Sequence, residues 1–377
     1  MKINIKNQQY PIGEQIFDGL FGYRQSLNPK YQSNLDITIN DPYDPENFNI
    51  LLEYLPKSQI DISKYNLVLF CNGGEPLQVG TMAMAAMLNL PNVYLIANSY
   101  LGTNHPMKDR VIWYPHNWST CRDYWTRHFY PQYFENLKNT NIKRNNSLIA
   151  INGINRAWRH HFFQLMSKQI PDIHVRSNIN SIVTKLTDSQ WESTQDRVFR
   201  DWVNDFYAEC IRPKPITTIP YSNNEISIGI NDKFGQVPPG YFIMPEYFEY
   251  ACVIFPETAW QNNELTITEK SLKCFYAGSL PFPIGGANIN QLYNEVGFFT
   301  AWNLLPDNLK IFDSVLNHCE RYTLAVDAIK WLYQNPEVFQ TIECQQIQKQ
   351  NKFNLLTGAG QVTSIIKFNQ LIQEKLN

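Results

Sequence analysis

No apolar run in this 377-residue chain is long enough to cross a bilayer; the longest, Met82 to Leu90, ends at a proline. The opening residues, MKINIKNQQYPIGEQ, lack the apolar stretch of a signal peptide. Neither sign of charge is in excess, with 32 Lys+Arg against 34 Asp+Glu and a formal net charge of −2. Such a chain has no general positive field for a polyphosphate backbone, which argues against nucleic acid as its partner. The seven cysteines (Cys71, Cys121, Cys210, Cys252, Cys274, Cys319 and Cys344) form no C-x-x-C pair and are odd in number. They read as reduced, buried thiols of a cytoplasmic protein rather than as a disulfide framework or a zinc site. The histidines show no ligand spacing, and Asp41-Pro42-Tyr43-Asp44 is a proline turn, so no metal is expected. Repeats, low-complexity tracts and Gly/Ser linkers are lacking too.

What the chain does have is apolar and aromatic material, 44% and 14% of its residues, ample for one large domain or two ordinary ones. Short apolar runs alternate with helical stretches. Asn66 to Cys71, Asn92 to Ala97 and Arg110 to Tyr114 form a first series of strands, with a helix over Gly80 to Leu90. A second series starts with Ser147 to Asn152, a helix from Arg156 to Ile170, and Asp172 to Arg176. Ala251 to Phe255, a helix over Glu269 to Ala277 and a strand at Leu280 to Ile284 continue it. Continuous apolar strands alternating with helices predict parallel sheets covered on both faces. Two prolines in Leu280 to Ile284 predict a brief or peripheral strand. The polar stretch Asn139 to Asn146 is the expected domain boundary. Leu186 to Pro215 reads as an inserted helical element, and residues 354–377 as an amphipathic terminal helix.

The segment richest in chemistry is CVIFPETAWQNNELTITEKSLKCFYAGSLPFPIGG, Cys252 to Gly286. Glu257 follows the carboxyl end of a strand, and Thr266-Ile267-Thr268-Glu269-Lys270 opens a helix that Gly278 closes. Thr266 and Glu269 have capping-box spacing. The same helix start, with free N–H groups beside Lys270, also suits an anion. Lys273 follows one turn later, where a solvated surface lysine is the plainer reading.

Phe255, Glu257, Thr258, Ile267, Thr268, Glu269, Lys270, Ala277, Gly278, Pro281 and Gly285 together resemble the donor-binding half of the family-ten glycosyltransferases, the α-1,3-fucosyltransferases. They also resemble uncharacterised viral and bacterial glycosyltransferase-like proteins of the GT-B type. The likeness covers about forty residues well. In the fucosyltransferases an arginine in the first turns of an earlier helix binds the diphosphate of the nucleotide sugar. Arg156 and Arg159 both match that place. The resemblance further implies that Glu257 and Glu269 accept hydrogen bonds from sugar or ribose hydroxyls, with Thr268, Lys270 and Lys273 in the same donor site. An aromatic in the loop Glu246 to Tyr250 is in place to stack on the base, Tyr247 first and Tyr250 beside it, with core packing the equal alternative for both.

These readings lead to one expectation: an α/β chain of two Rossmann-like domains facing a cleft, with a C-terminal helix. Residues 1–145 would form the acceptor side, 146–353 the donor-binding domain, and 354–377 the helix. The expected activity is transfer of a sugar from a nucleotide-diphosphate donor, GDP- or UDP-linked, to a hydroxyl of a glycan or other acceptor. It would proceed with inversion, without a metal and without a cofactor beyond the co-substrate. Fixed cations facing the leaving diphosphate supply the main catalytic effect. An inverting transfer also needs a general base; Glu75, after the strand ending at Cys71, is the candidate, with His105, Asp109 and His116 competing. The alternative is a catalytically silent nucleotide- or glycan-binding structural module. A cytoplasmic protein is expected, placed in the host cytoplasm if the chain is viral.

Overall fold

The protein is seen in a computed structural model. It describes residues 2–6, 49–54, 67–71, 90–102, 105, 107–113, 144, 146–152, 157–177, 218–219, 243, 246–257, 262, 264–358, 370 and 374. The chain divides into two units, one of Met1–Asp123, Asn263–Ile267 and Asn354–Asn377, the other of Tyr124–Asn262 and Thr268–Phe353. The border expected after residue 145 falls inside the second of these. The helices expected at Gly80 to Leu90 and Leu186 to Pro215 lie outside the described residues.

In the first unit, β1 (Lys2–Lys6), β2 (Asn49–Tyr54), β3 (Leu67–Cys71), β4 (Val93–Ala97) and β6 (Val111–Trp113) form a sheet, every pair parallel. Its order, β1-β2-β3-β4-β6, follows the chain. Between β4 and β6, β5 (Ser99–Leu101) pairs antiparallel with β11 (Glu264–Thr266), which arrives from far along the sequence. Ser99 Oγ donates to Glu264 at 2.6 Å, and Asn98 Nδ2 donates to the Ile267 carbonyl at 3.3 Å, tying that pairing at buried positions.

The second sheet holds β7 (Asn146–Asn152), β8 (His174–Ser177), β9 (Thr218–Ile219), β10 (Tyr250–Pro256) and β12 (Leu280–Ile284), again all parallel. Its order is β12-β10-β7-β8-β9. The chain therefore winds outward in one direction from β7 and then in the other from β10. That is the doubly wound arrangement, whose reversal leaves a crevice at the carboxyl ends of the two central strands.

Period-two alternation gives this sheet two buried faces. Leu148, Ala150, Cys252, Ile254, Leu280, Phe282 and Ile284 share one core with Phe162, Phe163 and Met166 of α1 (Ala157–Gln169). Phe162 stands edge-on to both Phe163 and Tyr322. The alternate residues Ile149, Val253 and Phe255, equally buried, face the other way, toward α3 (Glu269–Ala277), which packs on β10 and β12. Between these elements in sequence, a single helical turn, α2 (Glu246–Glu249), leads into β10.

The prolines of β12 behave as expected of a peripheral strand. Ile284 turns its carbonyl to β10, accepting from the Glu257 N–H at 2.7 Å, so Pro281 and Pro283 direct their missing donors outward. β12 is the end strand of its sheet, and a proline-bearing edge resists further strand addition. Beyond it come α4 (Ile289–Glu295), α5 (Asp307–Lys310), α6 (His318–Gln334) and α7 (Ile342–Thr357). A helix near the C-terminus thus runs over Ile342–Thr357, while most of the expected span 354–377 lies outside the described residues. Cys252, Cys274 and Cys344 are buried free thiols, as read from the sequence.

Truncating Phe162 to Ala would remove a fully buried ring from this core. Equilibrium denaturation of that variant should show a loss of about 3–5 kcal/mol; a loss under about 1 kcal/mol would mean the ring is not packed as described.

Candidate active site

The reversal of strand order puts the carboxyl ends of β7 and β10 side by side. Glu257 is the first residue past β10, only 1% exposed, and its carboxylate has no water to face. Protein donors surround it instead. Thr268 Oγ1 donates to Oε2 at 2.7 Å, while the Thr268 N–H at 3.4 Å and the Tyr293 hydroxyl at 3.2 Å donate to Oε1. Lys270 Nζ stands 3.7 Å from Oε2. Burial pushes the Glu257 carboxyl above its ordinary value, and Lys270 and the Thr268 hydroxyl only partly oppose it. Tyr293, on α4, is also hydrogen-bonded to Ser271 Oγ, and burial followed by the Glu257 charge pushes its hydroxyl well up.

Thr268 is the N-cap of α3 by backbone geometry, with φ −107° and ψ 175°, yet its side chain caps nothing. The hydroxyl is spent on Glu257. Thr266, which the capping-box spacing paired with Glu269, lies in β11, with Ser99 Oγ 3.3 Å from its hydroxyl. The box is therefore not formed: the strand claims Thr266 and moves the helix start on to Thr268. The other end of α3 closes as read from the sequence. Gly278 has φ 77°, and the N–H groups of Gly278 and Ser279 return to the carbonyls of Phe275 and Cys274. A side chain at Gly278 would also meet Arg144 Nη2 at 3.2 Å.

Two lysines at the start of a helix oppose its dipole, so something must offset them. Lys270 Nζ donates to Thr268 Oγ1 at 3.1 Å and lies 6.0 Å from the centroid of the Phe255 ring. Lys273 is buried, not the solvated residue of the plainer reading. Glu269 answers both. Burial would raise its carboxyl, but Lys270, Lys273, its own backbone N–H and Arg159 together hold it below the ordinary value. Arg159, in the first turn of α1 and 2% exposed, donates from Nη2 to the Glu257 carbonyl oxygen at 3.2 Å.

The structure thus gathers Arg159, Glu257, Thr268, Glu269, Lys270 and Lys273 at one sheet end. Arg156, Glu75 and His116 lie outside the described residues. Tyr247 is not with the group: it is 2% exposed in α2, at the amino end of β10, a strand's length from Glu257. Its ring is core, not a platform open to a base. Of the competitors to Glu75, His105 is half-buried, with Nδ1 accepting from the Met107 N–H at 3.1 Å and burial lowering its pKa, and Asp109 is exposed. Tyr293 and Ser271 were not singled out in the sequence; a tyrosine in the helix after a double glycine carries no signal of its own.

No family model matches the chain, and no curated protein matches it either. Among solved structures, an α1,3-fucosyltransferase is 12% identical, at TM-score 0.43 over 99% of this chain and 90% of the other. A second, holding GDP-fucose, is 11% identical at TM-score 0.36, over 90% and 79%. The apo form of OtsA is 10% identical at TM-score 0.34, over 87% and 67%. Overlap this loose identifies neither a shared fold nor a shared activity.

The lowered Glu269 carboxyl has a pH consequence. Its contribution to stability is present above the ordinary carboxylate value of 4.5 and is lost as pH falls through the folded value. Denaturation midpoints of wild type and Glu269→Gln should therefore differ at neutral pH and converge on acidification. A gap that stays constant to about pH 3 would contradict the account.

Proposed function

We propose that the second unit binds a nucleotide-diphosphate sugar, and that the protein is a GT-B glycosyltransferase passing the sugar to a hydroxyl of a glycan or similar acceptor. The observation that carries this reading is the convergence of Arg159, Lys270, Lys273 and the start of α3 at the point where the second sheet reverses its order. In doubly wound sheets that crevice is where ligands sit, and cations at a helix start are suited to a phosphate pair.

The chemistry follows from the charges. Transfer breaks the bond between the anomeric carbon and the diphosphate oxygen, and negative charge collects on the departing oxygen. Lys270, Lys273 and Arg159, with Arg156 as the alternative arginine, hold that charge and lower the barrier electrostatically. In the proposed transfer these side chains take the place of a metal. Glu269, half-buried, accepts hydrogen bonds from hydroxyls of the sugar or ribose. Glu75 remains the proposed base for an inverting attack by the acceptor.

Calorimetric titration with UDP-, GDP-, ADP- and CMP-sugars tests the reading. One of the diphosphate nucleotides of the panel (UDP, GDP or ADP) should bind to wild type, and the CMP-sugar, which carries a single phosphate, should not. Lys270→Ala should weaken it by about 1.5–3 kcal/mol, roughly ten- to a hundredfold in Kd, and slow sugar release or transfer. Wild type binding none of the panel, or an unchanged Kd in a folded Lys270→Ala, would overturn it.

A further inference from the structure

Resemblance makes Glu257 a ligand contact; its surroundings give it another role. Its side chain is fully enclosed, and both oxygens already accept from Thr268 and Tyr293. The main chain of the same residue is engaged as well, its N–H by Ile284 and its carbonyl by Arg159. We infer that Glu257 is a positioning residue: through Thr268 it fixes the first turn of α3 and parks Lys270, which a ligand phosphate then takes over.

Three observations support this. The Thr268 hydroxyl, at the N-cap of α3, donates to Glu257 and accepts from Lys270 instead of capping the helix. Lys270 reaches Glu257 chiefly by way of Thr268, with a hydrogen bond of 3.1 Å to the hydroxyl against 3.7 Å to the carboxylate. That leaves the ammonium, which has three donors, able to turn to an incoming anion without leaving its anchor. Tyr293 closes the remaining side of the carboxylate, so ligand hydroxyls would have to displace a buried tyrosine to reach it.

The inference rests on the donor-site reading, and it predicts effects opposite to those of a contact residue. Glu257→Gln removes the negative charge beside Lys270. It should therefore bind UDP or GDP at least as tightly as wild type, while turnover of the matching nucleotide sugar falls roughly tenfold or more from misplacement. Thr268→Val should reproduce the loss of turnover, and Thr268→Ser, which keeps the hydroxyl, should restore most of it. Several-fold weaker nucleotide binding by Glu257→Gln with turnover kept would overturn the inference, as would Thr268→Ser behaving like Thr268→Val. If Glu257→Gln does not fold, the Thr268 pair decides alone. If wild type binds no nucleotide of the panel, the donor reading fails by itself, and hydrogen exchange in the first turn of α3 becomes the measure. Exchange there must quicken in Thr268→Val and not in Thr268→Ser; equal exchange in wild type and Thr268→Val would overturn the positioning role.

Discussion

A carboxylate taken wholly out of water must be met by donors from the protein, since an unpaired buried charge costs several kcal/mol. Glu257 meets that requirement with Thr268 and Tyr293 as donors to its carboxylate, and its main chain engages two further elements. Its own N–H ties β10 to β12, its carbonyl receives Arg159 from α1, and its side chain receives Thr268 from α3 and Tyr293 from α4. Few other placements satisfy all of these at once. The sheet end, two helix starts and a following helix are therefore located relative to one another by a single residue.

Arginines do the complementary work with carbonyls. Arg144 donates from Nη1 to the Tyr247, Phe248 and Tyr250 carbonyls and from Nη2 to that of Ala277, at 2.6 to 3.0 Å. Burial pulls its pKa down to about 10. It thereby joins the entry to β10 to the last turn of α3, whose first turn Glu257 holds, so that helix is fixed at both ends. Arg321 braces the turn after β12, donating to Gly285 at 3.1 Å and to Asn262 at 2.7 Å, and Asn262 in turn accepts from the Ala287 N–H. Asp313 then takes the Asn290 and Gln291 N–H groups at the start of α4. Tyr293 reaches Glu257 because that turn and helix are held in this way.

Much of this was legible in the sequence wherever a pattern is local. Buried parallel strands are continuous apolar runs, so β3, β4, β6, β7, β10 and β12 stood out, as did α1 and α3, the latter with its closing end placed. Gly278 marked its close, since left-handed backbone there favours glycine. What was not legible depends on distant partners. Thr266 looks like a cap until β5, far earlier in the chain, recruits it into β11. Lys273 looks solvated until the fold buries it, and Tyr247 looks available until α2 turns it inward. Arg144 sits in a polar stretch that reads as a domain boundary, yet its four acceptors come from 103 to 133 residues away. The resemblance singled out the charged residues that the fold gathers at one sheet end; Arg144 and Tyr293, which hold the elements bearing them, were not singled out.

The most direct test of the central claim is a crystal structure of the protein with a bound nucleoside diphosphate. The account predicts the two phosphates at the start of α3, within hydrogen-bonding distance of Lys270 Nζ and facing Arg159, with the Glu257 carboxylate still enclosed by Thr268 and Tyr293. Phosphates bound elsewhere, or a Glu257 carboxylate swung out to meet the ligand, would contradict it.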